Sequence, residues 1–177
     1  MLISEMAADG FTAFQYADAA RSNATIADSQ VGTPGTGIDG LMNNFLGAYV
    51  NANPGYVSHV LMNWGVNDMA GWPLDQTTWQ NQYLALIDYT KTRFPNAQIY
   101  ISYPWRQGFD AISATMHGWV DNVIAARSSY VHAGVDEAVT IKGSDDGCSE
   151  TENCSGVHYS VLGAALYAAA MKALLGY

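Results

Sequence analysis

The sequence predicts an α/β domain in which helices cover a mostly parallel sheet. Three observations carry that expectation. Apolar residues recur at helical and strand periods in alternation; no internal repeat or linker-like stretch divides the chain; and 177 residues suit one domain that buries its own core. Parallel neighbours need a crossover between them, and alternating helices supply it.

From Asp9 to Arg21, Phe11, Phe14, Ala17 and Ala20 recur at three-residue steps, which suits one face of a helix. Asn23-Ala24-Thr25-Ile26-Ala27 reads as a short strand, and a Gly-rich loop from Gln30 to Gly37 follows it. Leu41, Phe45, Ala48 and Tyr49 mark the next helix, closed by Asn53-Pro54-Gly55. The apolar run from Tyr56 to Asn63 predicts a strand buried on both faces. Trp79, Tyr83, Leu86, Ile87 and Thr90 lie on one side of a helix from Asp75 to Phe94, stopped by Pro95-Asn96. Ile99 to Tyr103 is a strand with Pro104-Trp105-Arg106 as its loop, Phe109 to Arg127 a helix, and Tyr130 to Val135 a strand. A polar loop from Lys142 to Gly156 contains both cysteines, and Ser160 to Leu175 is an Ala-rich closing helix.

Seven Lys and Arg against 16 Asp and Glu leave a formal charge of −9, which offers nucleic acid or anionic lipid no attractive footprint. With 49% apolar and 12% aromatic residues the chain is not a disordered one. No apolar run approaches the ~20 residues that span a bilayer, and no His/Cys/Asp spacing suits a metal. Cys148 and Cys154 lie in a segment too polar to bury free thiols, so a small-loop disulfide is expected, and with it an extracellular or periplasmic setting.

In such folds ligands sit beyond the carboxyl ends of the strands, and three strand ends carry unusual residues: the Gly32 loop, Gly65-Val66-Asn67-Asp68, and Trp105-Arg106. A Gly admits close backbone approach, and an Asn amide is a neutral N–H donor suited to a developing oxyanion. The competing role is a turn whose Asn and Asp cap the next segment. The Gly32 backbone N–H is open to the same pair of roles, donor or tight turn. Gly156-Val157-His158-Tyr159-Ser160 opens the last helix, and His158 in that polar loop suits an exposed general base. His59 and His132 fall in strands and His117 in a helix, where structural roles are expected.

The order of these blocks resembles the SGNH (GDSL-type) hydrolase family: a strand ending in a Gly loop, a strand ending in Gly-Val-Asn-Asp, then Gly-Val-His-Tyr-Ser before a helix. The stretch from Trp79 to Tyr103, a helix ending in Phe-Pro-Asn-Ala-Gln before a strand, is also similar. The resemblance covers essentially the whole chain. It implies a three-layer α/β/α, flavodoxin-like fold and cofactor-free hydrolysis of carboxylic esters by an acyl-enzyme route. Asn67 and Gly32 then match the oxyanion donors and His158 the base.

Two departures stand out. The family's Asp three residues before the His is here Ser155, so the orienting acid would be Asp145, Asp146, Glu150 or Glu152, or a backbone carbonyl would hold a Ser–His dyad. Met1-Leu2-Ile3-Ser4 is similar to the stretch just after the family's Gly-Asp-Ser, which puts the nucleophile at Met1 or just upstream and implies that the first strand is missing. Within the chain Ser4 is the stronger rival nucleophile, ahead of Ser29 in Ala27-Asp28-Ser29.

Trp64, Trp72, Trp105, Arg106 and Tyr159 near the expected mouth either stack on sugar rings, which would make the substrate an O-acetylated carbohydrate, or simply pack the loops. The alternative from another class is a non-catalytic carbohydrate-binding or structural domain on the same fold.

Overall fold

The computed structural model describes residues 24–34, 37–45, 52–142 and 161–176. Among them, three strands form one sheet in the order β1 (His59–Met62), β2 (Gln98–Tyr103), β3 (Val131–Asp136). Both pairings are parallel: Val60 faces Ile99, Met62 faces Ile101, and Ile99 faces Val131. The helices are α1 (Ile38–Phe45), α2 (Gln76–Arg93), α3 (Asp110–Ala126), α4 (Glu137–Thr140) and α5 (Val161–Leu174). The α/β class expected from the alternation is the one observed.

The two long helices form where the sequence punctuates them. Asp75 caps α2, its carboxylate accepting the Thr78 N–H at 2.7 Å, and Lys91 and Arg93 sit in the last turn, where cations oppose the helix dipole. Trp79, Tyr83, Leu86, Ile87 and Thr90 are the buried positions of α2, the same five that share a face at helical spacing. Met116, Val120 and Val123 of α3 join them over Ile99, Ile101 and Val131 in one core cluster. Ser102, next along β2 from Ile101, bonds the Tyr167 hydroxyl of α5 at 2.6 Å. Because successive strand side chains point to opposite faces, α5 packs on the face away from α2 and α3. The result is three layers.

Four expectations need correction. Residues 24–30 form turns and a bend, not a strand: Asp28 donates its N–H to Thr25 O and Ser29 its N–H to Ile26 O. The Thr25 N–H and hydroxyl go to the Asp28 carboxylate at 2.8 and 2.7 Å. Short polar side chains here outcompete a ladder for the backbone, a known habit of Asp and Ser. The strand expected from Tyr56 starts only at His59, because Pro54–Tyr56 coils into a 3-10 turn and Tyr56 stands exposed. The short helix α4 was not foreseen; it follows β3 directly, capped by Asp136 through the Val139 N–H. The 3-10 turn Asp68–Gly71 behind the Gly-Val-Asn-Asp motif was not foreseen either. The helix predicted from Asp9 to Arg21, the Met1–Ser4 start, the Ala48-Tyr49 helix end and the cysteine loop lie outside the described residues.

The β2–β3 register shifts between Ile101 and Tyr103, and Gly134 lies beside that shift. A Cβ at Gly134 would stand 2.8 Å from the Ile101 carbonyl carbon and 2.9 Å from the Ser102 N, both backbone. Gly134→Ala is therefore expected to cost about 1–3 kcal/mol, the usual range for overpacking. Urea unfolding measures it, and an unchanged midpoint would contradict so close an approach of β3 to β2.

Candidate active site

The carboxyl ends of the three strands lie at one edge of the sheet, as parallel pairing requires. Beyond β1 the chain turns at Gly65, whose φ of +120° is one a side chain rarely adopts. A Cβ there would meet Pro104 Cγ at 2.8 Å, so the loop after β1 lies against the loop after β2. Asn67 and Asp68 come next, opening the 3-10 turn. Neither takes the capping role: Asn67 makes no side-chain cap bond at that turn. Its Nδ2 instead donates to the Ala24 carbonyl at 3.1 Å. The Asp68 carboxylate accepts the Ile26 N–H at 3.1 and 3.2 Å and Trp79 Nε1 at 3.2 Å.

These bonds draw residues 24–27 against the turn after β1, and a cleft of about 270 Å³ opens where they meet. Thr25, Ala27, Asn67, Asp75, Thr78 and Trp79 are among its lining residues. Behind it, Gln30 Nε2 donates to Ile26 O and to Gln82 O, tying this segment to α2. A larger groove by Asp88, Lys91 and Tyr130 lies at the opposite end of the strands. There Arg127 forks onto Asp88 at 2.7 Å and Lys91 donates to Ala97 O over the Tyr130 ring, so its charges are engaged.

Asp68 is 4% exposed. Burial pushes its carboxyl above the ordinary carboxylate range, and the bonds from Ile26 and Trp79 pull it part of the way back. At the strand edge, Glu137 is fully buried and accepts from Asn63 Nδ2, beyond β1, and from the Trp105 N–H, beyond β2, at 2.9 Å. Glu137 does not stand out in the sequence, and Asp68 does so only as a turn residue of the Gly-Val-Asn-Asp motif, because each finds its partners only in the fold.

The expected site residues separate. Asn67 lines the cleft. Gly32, with φ of +83°, lies outside that lining, and its N–H donates to Asp39 Oδ1 at 3.0 Å. Ala27, in contrast, lines the cleft, and its backbone N–H has no hydrogen-bond partner among the described residues. Ser29 is buried with its hydroxyl on Ile26 O, which leaves it no access to substrate. Ser4 and His158 lie outside the described residues, as do Asp145, Asp146, Glu150, Glu152 and Tyr159.

Trp79 lines the cleft, whereas Trp64, Trp72 and Trp105 pack elsewhere. Trp105 is 5% exposed and donates Nε1 to Asp110 at 2.8 Å. Trp72 stacks on Trp119 at 5.3 Å, Trp64 packs against the core, and Arg106 lies over the Phe109 ring. The other histidines have structural partners: His59 the Ser58 hydroxyl, His132 the Gln98 amide oxygen, and His117 the Pro104 carbonyl and Asp136. No helix among the described residues is long and apolar enough to cross a membrane.

No family model and no curated protein matches the chain. Among solved structures it is similar to a family two carbohydrate esterase from Clostridium thermocellum in complex with cellohexaose, at 24% identity and a TM-score of 0.48. That match covers 68% of this chain and 37% of that one. It is also similar to an active-site mutant of a family two carbohydrate esterase from the same organism, at 23% identity and a TM-score of 0.47, covering 69% and 37%. The chain thus spans little more than a third of the proteins it is similar to.

The Asp68 environment fixes the sign of a pH effect. An acid whose folded pKa lies above its ordinary 3.8 holds more protons folded than unfolded just above that pH, so its contribution to stability falls as pH rises. The stability of the wild type relative to Asp68→Asn should fall from about pH 4 upward and level off once the folded carboxyl has ionised. Urea unfolding at a series of pH values reads the difference, and a rise with pH would contradict the burial assigned to Asp68.

Proposed function

We propose that the chain is the core of a serine ester hydrolase acting on carboxylic esters, with O-acetyl groups of carbohydrates as the substrate class. The single observation that carries this is the placement of Asn67. It stands at the carboxyl end of β1 on the wall of a cleft, with one amide N–H committed to Ala24 O. A primary amide has two N–H donors at a fixed angle, so the Ala24 bond sets the direction of the second and leaves it free to meet an oxyanion. The polar rim of Thr25, Asp75 and Thr78 suits a hydroxyl-rich substrate.

In this reading a serine hydroxyl at the start of the chain, with Ser4 the candidate within the sequence, attacks the ester carbonyl. His158 accepts its proton and returns it to the leaving alcohol; water then releases the acyl group by the same path. Asn67 stabilises the tetrahedral oxyanion together with a backbone N–H of the 24–32 segment. For Gly32 to be that partner, Asp39 must release its N–H. No cofactor takes part.

Loss of one preorganised oxyanion donor costs about 10²–10³ in kcat, so Asn67→Ala should lower turnover of p-nitrophenyl acetate by that factor with KM little changed. The assay uses protein expressed from the whole coding region. A variant as fast as wild type would remove Asn67 from the chemistry. No hydrolysis by the wild type of this ester or of acetylated oligosaccharides would favour a non-catalytic binding domain.

A further inference from the structure

We infer that Asp68 is a positioning residue, whose buried carboxylate locks the 24–27 segment against the turn after β1 and thereby sets the direction of the Asn67 amide. The inference rests on the reading of Asn67 as an oxyanion donor, and it assigns that donor's orientation to its neighbour.

Asn67 is aimed by its bond to Ala24 O, at 3.1 Å, and therefore by wherever residues 24–27 happen to lie. That segment is not part of a sheet; no ladder fixes it. What crosses from it to the turn after β1, besides the Asn67 bond itself, is the pair of contacts from the Ile26 N–H to the two Asp68 oxygens. Ile26 stands two residues beyond Ala24 and Asp68 one beyond Asn67, so the two links run side by side. Asp68 is in turn anchored to α2 through Trp79 Nε1, itself in the core beside Tyr83 and Trp119. A chain of bonded groups therefore runs from a rigid helix through Asp68 to Ile26, Ala24 and the Asn67 amide.

The cost of the arrangement points the same way. A carboxylate that is 4% exposed, with no cation bonded to it among the described residues, is an expensive way to hold a turn. In return it accepts two donors at once, and bonds to a charged acceptor are the stronger kind. Ile26 itself is 1% exposed, so truncating Asp68 would strand a buried N–H as well as free the segment.

A double-mutant cycle over Asn67→Ala and Asp68→Ala tests the inference, with p-nitrophenyl acetate as substrate and stability checked by urea unfolding. A displacement near an ångström can cost on the order of 10²-fold in rate. Asp68→Ala is therefore expected to lower kcat by tens of fold or more, with KM within about twofold. In the Asn67→Ala background the same change should cost almost nothing, because the group it aims is gone. Asp68→Asn keeps one acceptor oxygen for both donors and should recover part of the rate; it also stands in should the Ala variant fail to fold.

An Asp68 effect of equal size in both backgrounds, or no effect on kcat, overturns the positioning role while leaving the Asn67 reading intact. A fully active Asn67→Ala overturns that reading, and the positioning role with it. A second readout needs no turnover. In the wild type the Asn67 side-chain amide protons should give two distinct, slowly exchanging NMR signals, and in Asp68→Asn they should exchange faster. Unchanged exchange would contradict the inference.

Discussion

Three parallel strands bring three loops to one edge of the sheet, and a single buried carboxylate binds that edge together. Glu137 begins the helix after β3, accepts from Asn63 beyond β1 and takes the Trp105 N–H beyond β2. The loops whose positions shape the site are thus referenced to one side chain. A charge so buried is tolerable only when its acceptor sites are filled. These two bonds tie the loops after β1 and β2 to the start of the helix after β3.

Asp68 repeats the device closer to the cleft. Its partners come from a turn segment and from α2, elements that share no backbone ladder with each other. Side chains do here what strand pairing does elsewhere in the sheet. This accounts for an Ile26 that is as buried as a core strand residue while its backbone forms a turn. The aromatic residues divide in the same spirit. Trp72, Trp79 and Trp119 form a contiguous cluster, with ring centroids 5.3 and 5.8 Å apart, of which Trp79 lines the cleft.

Local periodicity made most of the architecture readable. The five buried positions of α2, its start near Asp75 and its stop before Pro95 are all sequence-local, and the sequence marks them nearly to the residue. Gly65 and Asn67 stood out because a glycine and an amide after a strand suit either an oxyanion donor or a turn, and the residues alone left both open. Residues 24–27 misled for an equally physical reason. A short apolar run has the same composition whether it extends into a ladder or curls under its own Asp and Ser side chains. The tryptophans misled in a similar way, since an aromatic near a strand end is equally suited to a binding mouth or to a loop's packing.

The sequence by itself determined the alternation of helix and strand, the acidic charge and the presence of an amide donor after β1, because each depends on residues within one or two turns of chain. Only the tertiary structure decided which residues line the cleft and which N–H groups are already bonded. Gly32, the evident candidate, gives its N–H to Asp39, while Ala27, an ordinary residue in the sequence, lines the cleft with its own N–H unpaired among the described residues. The bonds that shape the cleft wall, from Ile26 to Asp68 and from Asn67 to Ala24, join residues some 40 positions apart. No local pattern encodes them, because the partners are chosen by where the packed core leaves them.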